Sequence, residues 1–182
     1  APLFFILPIV GLVTIAEGVV HLGNLLFQHK RYSKEWQAMI AKTMEDHVVV
    51  CGLGNVGVRV VQHLRRFNEQ VVAIESNTEA RFVAEVASYD VPVLFGDVRD
   101  TAVLSNASIE KAKAIIAVTD NDLANLEASL TARELNPNIR VVIRMFDQNL
   151  AKKVEKSMGI QGAYSSSARS ARLFAQAAIS GD

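Results

Sequence analysis

The sequence has a single cysteine, Cys51, among its 182 residues. One cysteine excludes a disulfide-stabilised scaffold and a zinc site built from several thiolates, and it fits a reducing compartment. A surplus of basic charge is also missing, because 19 Lys and Arg balance 19 Asp and Glu. A neutral chain lacks the electrostatic signature of a nucleic-acid-binding protein. Charged residues make up only 21% of the chain and hydrophobic residues 50%, which excludes intrinsic disorder.

Charge is scarcest at the N-terminus, where residues 1–28 hold one charged side chain, Glu17. As a helix, residues 2–27 would extend about 39 Å, more than the roughly 30 Å of a bilayer's hydrocarbon core. No basic segment precedes this stretch, which argues against a secretory signal. The missing initiator Met indicates a piece of a longer chain. We therefore expect residues 1–28 to form a transmembrane helix or its cytoplasmic half.

Three polar residues interrupt this apolar stretch: Glu17, His21 and Asn24. Their spacing puts them on one helical face. That face either packs inside a helical bundle or beside a pore, or it marks an interfacial end of the helix, and both interpretations stay open. Basic residues follow at 29–31 and at Lys34. By the positive-inside rule they place this end of the segment in the cytoplasm.

Residues 29–47 form the next predicted unit, an amphipathic helix without Gly or Pro. Its less polar face recurs at three- and four-residue steps. That face consists of the apolar residues Tyr32, Trp36, Met39 and Ile40, followed by Thr43. The helix is either a stiff linker that carries force from the membrane to a soluble domain, or a helix docked on its own domain.

A glycine-rich motif follows the β-branched run at 48–51, and it reads Gly52-Leu53-Gly54-Asn55-Val56-Gly57. Helical spacing of apolar residues begins after Gly57, so the motif lies at a strand-to-helix turn, as in the Rossmann fingerprint. There the first glycine permits a tight turn, the second lets backbone approach a pyrophosphate, and the third allows close helix–strand packing. Free N–H groups and the helix dipole would hold the phosphates.

An acidic residue ends the next predicted strand, residues 71–74. This is Glu75, 18 positions after Gly57, where a carboxylate can accept hydrogen bonds from ribose hydroxyls. It would repel a 2′-phosphate, and neither Ser76 nor Asn77 supplies a compensating positive charge. NAD(H) or an adenine nucleotide is therefore favoured, and NADP(H) is disfavoured. The alternative role of Glu75 is a solvated strand end.

Apolar runs alternate with helical patterns along the remaining chain. Strands are predicted at 48–51, 71–74, 91–95, 114–118, 141–144 and 163–164, and helices at 78–88, 122–135 and 148–158. Leu123, Leu126 and Leu130 share one face of the second of these helices. The alternation predicts an α/β fold, a Rossmann-like doubly wound parallel sheet. Ligands bind outside the carboxyl ends of such strands.

Groups for redox catalysis are not found at these strand ends. Of the four histidines, His21 and His29 lie in the N-terminal segment, His47 precedes the first strand and His63 lies inside the first helix. Cys51 lies in a strand, where a buried thiol is expected. No second substrate domain fits this length, so we expect binding without catalysis and no enzyme.

A metal centre is not predicted either, because the His and Cys spacings match no ligand pattern. The cluster Asp120-Asn121-Asp122 could coordinate a cation, but we expect it to cap the helix that follows.

Together these residues resemble the regulator-of-potassium-conductance domain, also called the Trk-type NAD-binding or TrkA-N domain. The resemblance covers about 48–180 and rests on residues 48–57 with Glu75, the pair Gly96-Asp97, residues 118–122 with Asn125, and Arg144 at a strand end. Domains of this family are fused to, or assemble on, potassium channels and transporters, and they gate them upon binding NAD(H), ATP, ADP or ions.

The resemblance implies a role for each matching residue. Phosphates would contact residues 52–57, Glu75 and its neighbour Ser76 would lie at a ribose, and Asp97 with Val98 would line an adenine pocket. The distal half of the ligand would lie near Thr119, Asp120 and Arg144. A C-terminal crossover helix, within residues 167–182, would pair with a second copy through Ala171, Phe174, Ala175 and Ala178. Docking of that stripe on its own sheet is the alternative.

Two departures from the family pattern qualify this prediction. The family's smaller C-terminal ligand-binding lobe is not in the sequence, and no Thr-Val-Gly-Tyr-Gly filter is found, so we expect any pore to lie elsewhere.

The leading hypothesis is a cytoplasmic nucleotide-sensing domain, residues 48–166, joined to a cation channel or transporter in the cell membrane and assembled as a homodimer or larger ring. The alternatives are a membrane-anchored NAD-dependent oxidoreductase and an assembly module that binds no ligand.

Overall fold

The computed structural model describes residues 11–19, 34–158, 160 and 162–180. The chain divides into two compact units, Ala1–Gln37 and Ala38–Asp182. In the first unit the described residues 11–19 are helical, and we name this helix α1. None of the helices in the described ranges is both long and apolar enough to cross a membrane. Most of the predicted membrane segment, including His21 and Asn24, lies outside the described residues, as does the basic run at 29–31 that follows it. The membrane interpretation therefore stays a prediction.

The second unit is built on six parallel strands in the order β3-β2-β1-β4-β5-β6. The order reverses between β1 and β4, so the predicted doubly wound, Rossmann-like sheet is confirmed. The strands are β1 Val48–Cys51, β2 Val71–Glu75, β3 Val93–Phe95, β4 Ala114–Ala117, β5 Arg140–Arg144 and β6 Gly162–Tyr164. Their bounds agree with the sequence prediction to within two residues at each end.

Helices alternate with these strands along the chain from residue 34 onward. They are α2 Lys34–Thr43, α3 Asn55–Arg66, α4 Val83–Ala87, α5 Thr101–Asn106, α6 Asp122–Leu135, α7 Gln148–Met158 and α8 Ser166–Ser180, with a 3-10 turn at Ile109–Lys111. The prediction of a helix over 78–88 is wrong in its first half. Asn77 Oδ1 accepts a hydrogen bond from the N–H of Glu79 (2.9 Å), and this local turn delays the helix until Val83.

Alternating residues of the strands contribute their side chains to two hydrophobic cores, one on each face of the sheet. In β1, Val49 and Cys51 belong to the core on one face of the sheet, whereas Val48 and Val50 belong to the core on the other face. This double burial explains why β1 reads as a continuous apolar run. Helix α2 joins the first core through Ala41, which is fully buried. The part of α2 from Ala38 onward is therefore docked on its own domain.

Helix α6 packs on the sheet through a face that the leucine pattern does not predict. Leu123 is 60% exposed and Leu130 is 39% exposed. The buried positions are Ala124, Asn125, Ala128, Ser129 and Ala132. Small side chains at steps of four let the helix backbone approach the sheet closely, so Leu123 and Leu130 are exposed, whereas Leu126 is partly buried against the first core.

The C-terminal helix α8 presents its predicted stripe to solvent in the single chain. Phe174 is 75% exposed, and Ala171, Ala175 and Ala178 are exposed with it. Docking of the stripe on the chain's own sheet is therefore wrong. Pairing with a second copy stays a prediction.

Candidate functional site

The glycine turn between β1 and α3 adopts a backbone that needs glycine at two positions. Gly52 has φ +94°, a conformation that residues with a side chain rarely adopt. At Gly57 a Cβ would lie 1.8 Å from the carbonyl oxygen of Gly52. At Gly54 a Cβ would meet nothing within 4 Å. Gly52 and Gly57 therefore shape the turn, and Gly54 leaves open space at the N-terminus of α3.

A cavity of about 570 Å³ opens at this turn, along the carboxyl edge of the sheet. All of the predicted cofactor-binding residues line it except Leu53 and Gly57. Those that line it are Gly52, Gly54, Asn55, Val56, Glu75, Ser76, Asp97, Val98, Thr119, Asp120 and Arg144. Leu53 instead buries its side chain in the second core. The structure thus brings together residues from five strand ends around one cleft.

Two walls bound the cavity. The proximal wall, on the β1–β3 side, consists of Gly52, Gly54, Asn55, Val56, Glu75 and Asp97. The distal wall, on the β4–β5 side, consists of Thr119, Asp120 and Arg144. Four strand spacings separate β3 from β5, which is about 19 Å at roughly 4.8 Å per spacing. The cleft is therefore long enough for an extended ligand lying across the sheet edge.

Glu75 is the centre of the proximal wall, and backbone N–H groups hold its carboxylate. One carboxylate oxygen accepts from the N–H of Leu53 at 2.7 Å. The other accepts from the N–H of Asn77 at 3.0 Å and from the hydroxyl of Ser76 at 3.3 Å. These donors come from the glycine turn and from the residues just after β2. These hydrogen bonds fix the Glu75 carboxylate at the cavity without the help of a ligand. Leu53 contributes its N–H although it does not line the cavity.

Asp97 pairs with Arg99, a residue that the sequence analysis did not select. The guanidinium of Arg99 donates to both carboxylate oxygens of Asp97, at distances from 2.6 to 3.1 Å. These side-chain hydrogen bonds are the main reason that the pKa of Asp97 is lowered to about 2. Arg99 also lines the cavity. Its position two residues after a strand-end aspartate was the only sequence signal that could have identified it.

The distal wall is organised by Asn125 of α6, whose side chain is fully buried. Its Oδ1 accepts from the N–H of Thr119 (3.0 Å) and from the Thr119 hydroxyl (2.7 Å). Its Nδ2 donates to the carbonyl oxygens of Thr119 (3.1 Å) and Arg144 (3.0 Å). The guanidinium of Arg144 in turn donates to the carbonyl of Thr119 at 3.4 Å. One amide side chain thus joins the ends of β4 and β5 to α6.

The acidic cluster after β4 has a structural role, as predicted. Asn121 caps α6, because its Oδ1 accepts from the N–H of Ala124 at 3.0 Å. The Asp122 carboxylate accepts from the N–H of Phe146 at 2.9 and 2.7 Å. Asp120 lines the cavity without a part in the cap. The cluster therefore closes the start of α6 and ties it to the segment after β5.

Among the described residues, the histidines and Cys51 lie away from the cavity, which carboxylates line instead. His47 is fully buried just before β1, at the opposite edge of the sheet, with its Nε2 2.9 Å from the carbonyl oxygen of Ala107. His63 is exposed on α3. Burial raises the pKa of the Cys51 thiol to about 12, so this sulfur stays protonated and non-nucleophilic at neutral pH. His21 and His29 are outside the described residues.

The part of the chain that contains this site is similar in sequence to a known domain family and to proteins of potassium transport. Residues 48–166 match the TrkA-N domain. The probable potassium channel protein 2 of Methanocaldococcus jannaschii is 34% identical over 116 residues, which are 63% of this chain and 34% of that protein. The Trk system potassium uptake protein TrkA homolog of Pyrococcus horikoshii is 38% identical over 110 residues, 60% of this chain and 47% of that protein. The match spans about a third to a half of these relatives.

Solved structures share the fold at lower identity. The TrkA-N domain of the inner membrane protein ybaL from Escherichia coli has a TM-score of 0.66 at 22% identity and covers 74% of this chain and 97% of that one. The GsuK channel bound to NAD has a TM-score of 0.57 at 19% identity, covering 66% and 21%. The Kef CTD of Shewanella denitrificans in its AMP-bound form has a TM-score of 0.59 at 20% identity, covering 69% and 73%.

The resemblance to regulator-of-potassium-conductance and TrkA-N domains is thereby confirmed. The match over residues 48–166 includes the glycine turn, both walls of the cavity and Asn125. The chain belongs to the TrkA-N domain family.

Proposed function

We propose that residues 48–166 form a nucleotide-sensing regulatory domain of a potassium channel or transporter, with NAD(H) as the preferred ligand and ATP, ADP or AMP as alternatives. The observation that carries this proposal is the cavity at the carboxyl edge of the sheet, where the glycine turn meets a Glu75 carboxylate held by backbone N–H groups. A cleft at the reversal of strand order is where folds of this kind bind ligands.

Each part of an adenine nucleotide has a matching group in this cleft. Phosphates would meet backbone N–H groups at the N-terminus of α3, where Gly54 leaves open space. Ribose hydroxyls would donate to Glu75, and the adenine would lie beside Asp97 and Val98. Glu75 would repel a 2′-phosphate, which disfavours NADP(H). The NAD-bound and AMP-bound relatives support this ligand class.

In this proposal the domain binds its ligand without catalysing a reaction. The cavity is lined by carboxylates, arginines, hydroxyls and backbone, whereas His47 is buried at the opposite edge of the sheet and Cys51 is a buried, protonated thiol. A redox enzyme would need an acid–base group at the nicotinamide end of the ligand. A binding role without catalysis is therefore the simpler account of these side chains.

Regulation would follow from a change in assembly. The names of the relatives support a potassium channel or transporter in the cell membrane as partner, with this domain on the cytoplasmic side. The exposed stripe of α8 supports pairing with a second copy in a homodimer or larger ring. A nucleotide would shift such an assembly only to the extent that it binds one arrangement more tightly than the other.

Calorimetric titration of the protein with NAD, NADH, NADPH, ATP, ADP and AMP tests the proposal. We expect saturable binding of NAD(H) or an adenine nucleotide and much weaker binding of NADPH. No saturable binding by any of the six would contradict the sensor and favour an assembly module. Oxidation or reduction of a substrate with a nicotinamide cofactor would favour an oxidoreductase instead.

Gly54→Asp gives the sharpest test of the phosphate site. A side chain is tolerated there, since a Cβ meets nothing within 4 Å, but the carboxylate would occupy the phosphate position. We expect the affinity to fall at least about tenfold. Arg66→Gln, which lowers the net charge by the same one unit but at the far end of α3, is the matched control and should bind normally.

A further inference from the structure

We infer that Asn125 is a positioning residue that sets the preference of this site for a dinucleotide over a mononucleotide. The inference rests on the proposed nucleotide binding and adds a determinant of ligand length. Asn125 does not line the cavity. It acts through Thr119 and Arg144, the two distal-wall residues that its amide group holds.

The first step is that the bonding capacity of this amide is filled. An asparagine amide offers two lone pairs on oxygen and two N–H donors. All four are used, two for accepting from Thr119 and two for donating to the carbonyls of Thr119 and Arg144. A fully satisfied buried group of this kind fixes the geometry around it, whereas a partly satisfied one destabilises it.

The second step concerns what the four bonds hold. Thr119 follows β4 and Arg144 ends β5, and these strands are neighbours with Ala117 opposite Ile143. Asn125, which is buried and does not line the cavity, therefore links two adjacent strand ends to each other. The guanidinium of Arg144, which donates to the Thr119 carbonyl, is the positive charge of the distal wall. Its position depends on the backbone that Asn125 holds.

The third step is that the Glu75 carboxylate of the proximal wall is held by a separate set of hydrogen bonds. The Glu75 carboxylate takes its hydrogen bonds from Leu53, Ser76 and Asn77. This set shares no residue with the partners of the Asn125 side chain. The affinity for a ligand that contacts only the proximal wall, such as AMP, would therefore not depend on Asn125. The affinity for a dinucleotide that extends to Arg144 would depend on it.

Asn125→Ala is the primary test, measured by calorimetric titration with NAD and with AMP. The substitution removes the amide that donates to the Thr119 and Arg144 carbonyls and accepts from Thr119, so the distal wall loses its fixed geometry. We expect NAD affinity to fall at least about tenfold, with AMP affinity changed less than about twofold. The ratio of the two affinities is the readout, because a merely structural loss would lower both.

Asn125→Asp provides a second variant should the alanine variant not fold. An aspartate keeps an oxygen that accepts from Thr119, whereas its second oxygen faces the carbonyls of Thr119 and Arg144, to which a carboxylate cannot donate. It should lower the NAD-to-AMP affinity ratio in the same direction. Ser129→Ala is the matched control, since it removes a buried hydrogen bond one turn along α6, from Ser129 Oγ to the Asn125 carbonyl at 2.6 Å. Its ratio should equal that of the unaltered protein.

The outcomes separate this inference from the proposed function. Equal losses of NAD and AMP affinity in a folded Asn125 variant, with binding by the unaltered protein, would overturn the inference alone. Failure of the unaltered protein to bind either nucleotide would overturn both. A selective loss of NAD binding in an Asn125 variant, with none in Ser129→Ala, is the result that supports it.

Discussion

The proximal and distal walls of the cavity are built differently. In the proximal wall, the backbone of the glycine turn and of residues just after β2 holds Glu75. In the distal wall, one buried side chain from α6 holds the ends of β4 and β5. Backbone bonds of the first kind survive most substitutions, whereas the second arrangement depends on a single amide. In the proposed function, changes in the distal wall would alter the preferred length of the ligand without altering its contacts at the proximal wall.

Gly57→Ala should have the largest effect, because it breaks the turn on which the proximal wall rests. The new Cβ would lie 1.8 Å from the Gly52 carbonyl oxygen and 2.9 Å from its carbon, both backbone atoms. We expect the free energy of unfolding to fall by about 3 kcal/mol or more, measured by urea denaturation. Gly54→Ala is the control and should cost less than about 1 kcal/mol. Equal stability of the two variants would contradict the close packing of turn and helix.

Glu75→Gln should weaken the proximal wall without unfolding the protein. The amide cannot accept hydrogen bonds through its nitrogen, so either Leu53 or Asn77 loses its partner, and the ribose loses a charged acceptor. We expect NAD and AMP affinities to fall together by about tenfold or more. Glu79→Gln, an exposed change in the following segment, should leave both affinities as they are. A loss of affinity for NAD alone would contradict the different roles assigned to the proximal and distal walls.

Acidification should destabilise the fold through His47, which belongs to neither wall of the cavity. Burial lowers the pKa of His47 below its usual 6.5, so the unfolded chain binds this proton more readily than the folded one. The stability from neutral His47 is complete above pH 6.5 and decreases as the pH falls towards the lowered value. Urea denaturation between pH 7.5 and 5 measures this, and His47→Phe should flatten the profile.

The matched variant for that experiment is His63→Gln, which alters an exposed histidine on α3 and should keep the pH profile of the unaltered protein. A flat profile in the unaltered protein would show that His47 is protonated without cost.

Asp97→Asn should have the smallest effect on stability, because the side chains of Asp97 and Arg99 are about half exposed. Exposed pairs contribute less than about 1 kcal/mol. With a pKa lowered to about 2, ionised Asp97 contributes stability above its ordinary pKa of 3.8 and loses it as the pH falls through 2. The variant should therefore show a slightly shallower stability loss between pH 4 and 2. A large loss at neutral pH would mean that this pair holds the proximal wall.

Much of the fold and of the proximal wall could be predicted from local sequence. The run at 48–51, the glycines and Glu75 are close together along the chain, and their spacing reflects the geometry of one strand, one turn and one helix. Arg99 was not predicted as a site residue because no sequence motif marks it. Its contact with Asp97 and its place in the cavity are apparent only in the folded chain. Helix α4 was predicted too long because apolar spacing does not reveal the turn that Asn77 makes.

The sequence by itself determined the strands, the family and the glycine turn, since β-branched runs and the steric needs of Gly52 and Gly57 act between near neighbours. Only the tertiary structure decided which side of α6 is buried, because the close approach of helix and sheet favours Ala128 over Leu130 there. It also decided what Asn125 does. Its partners are 6 and 19 positions away, and only the pairing of β4 with β5 brings them within reach of one amide.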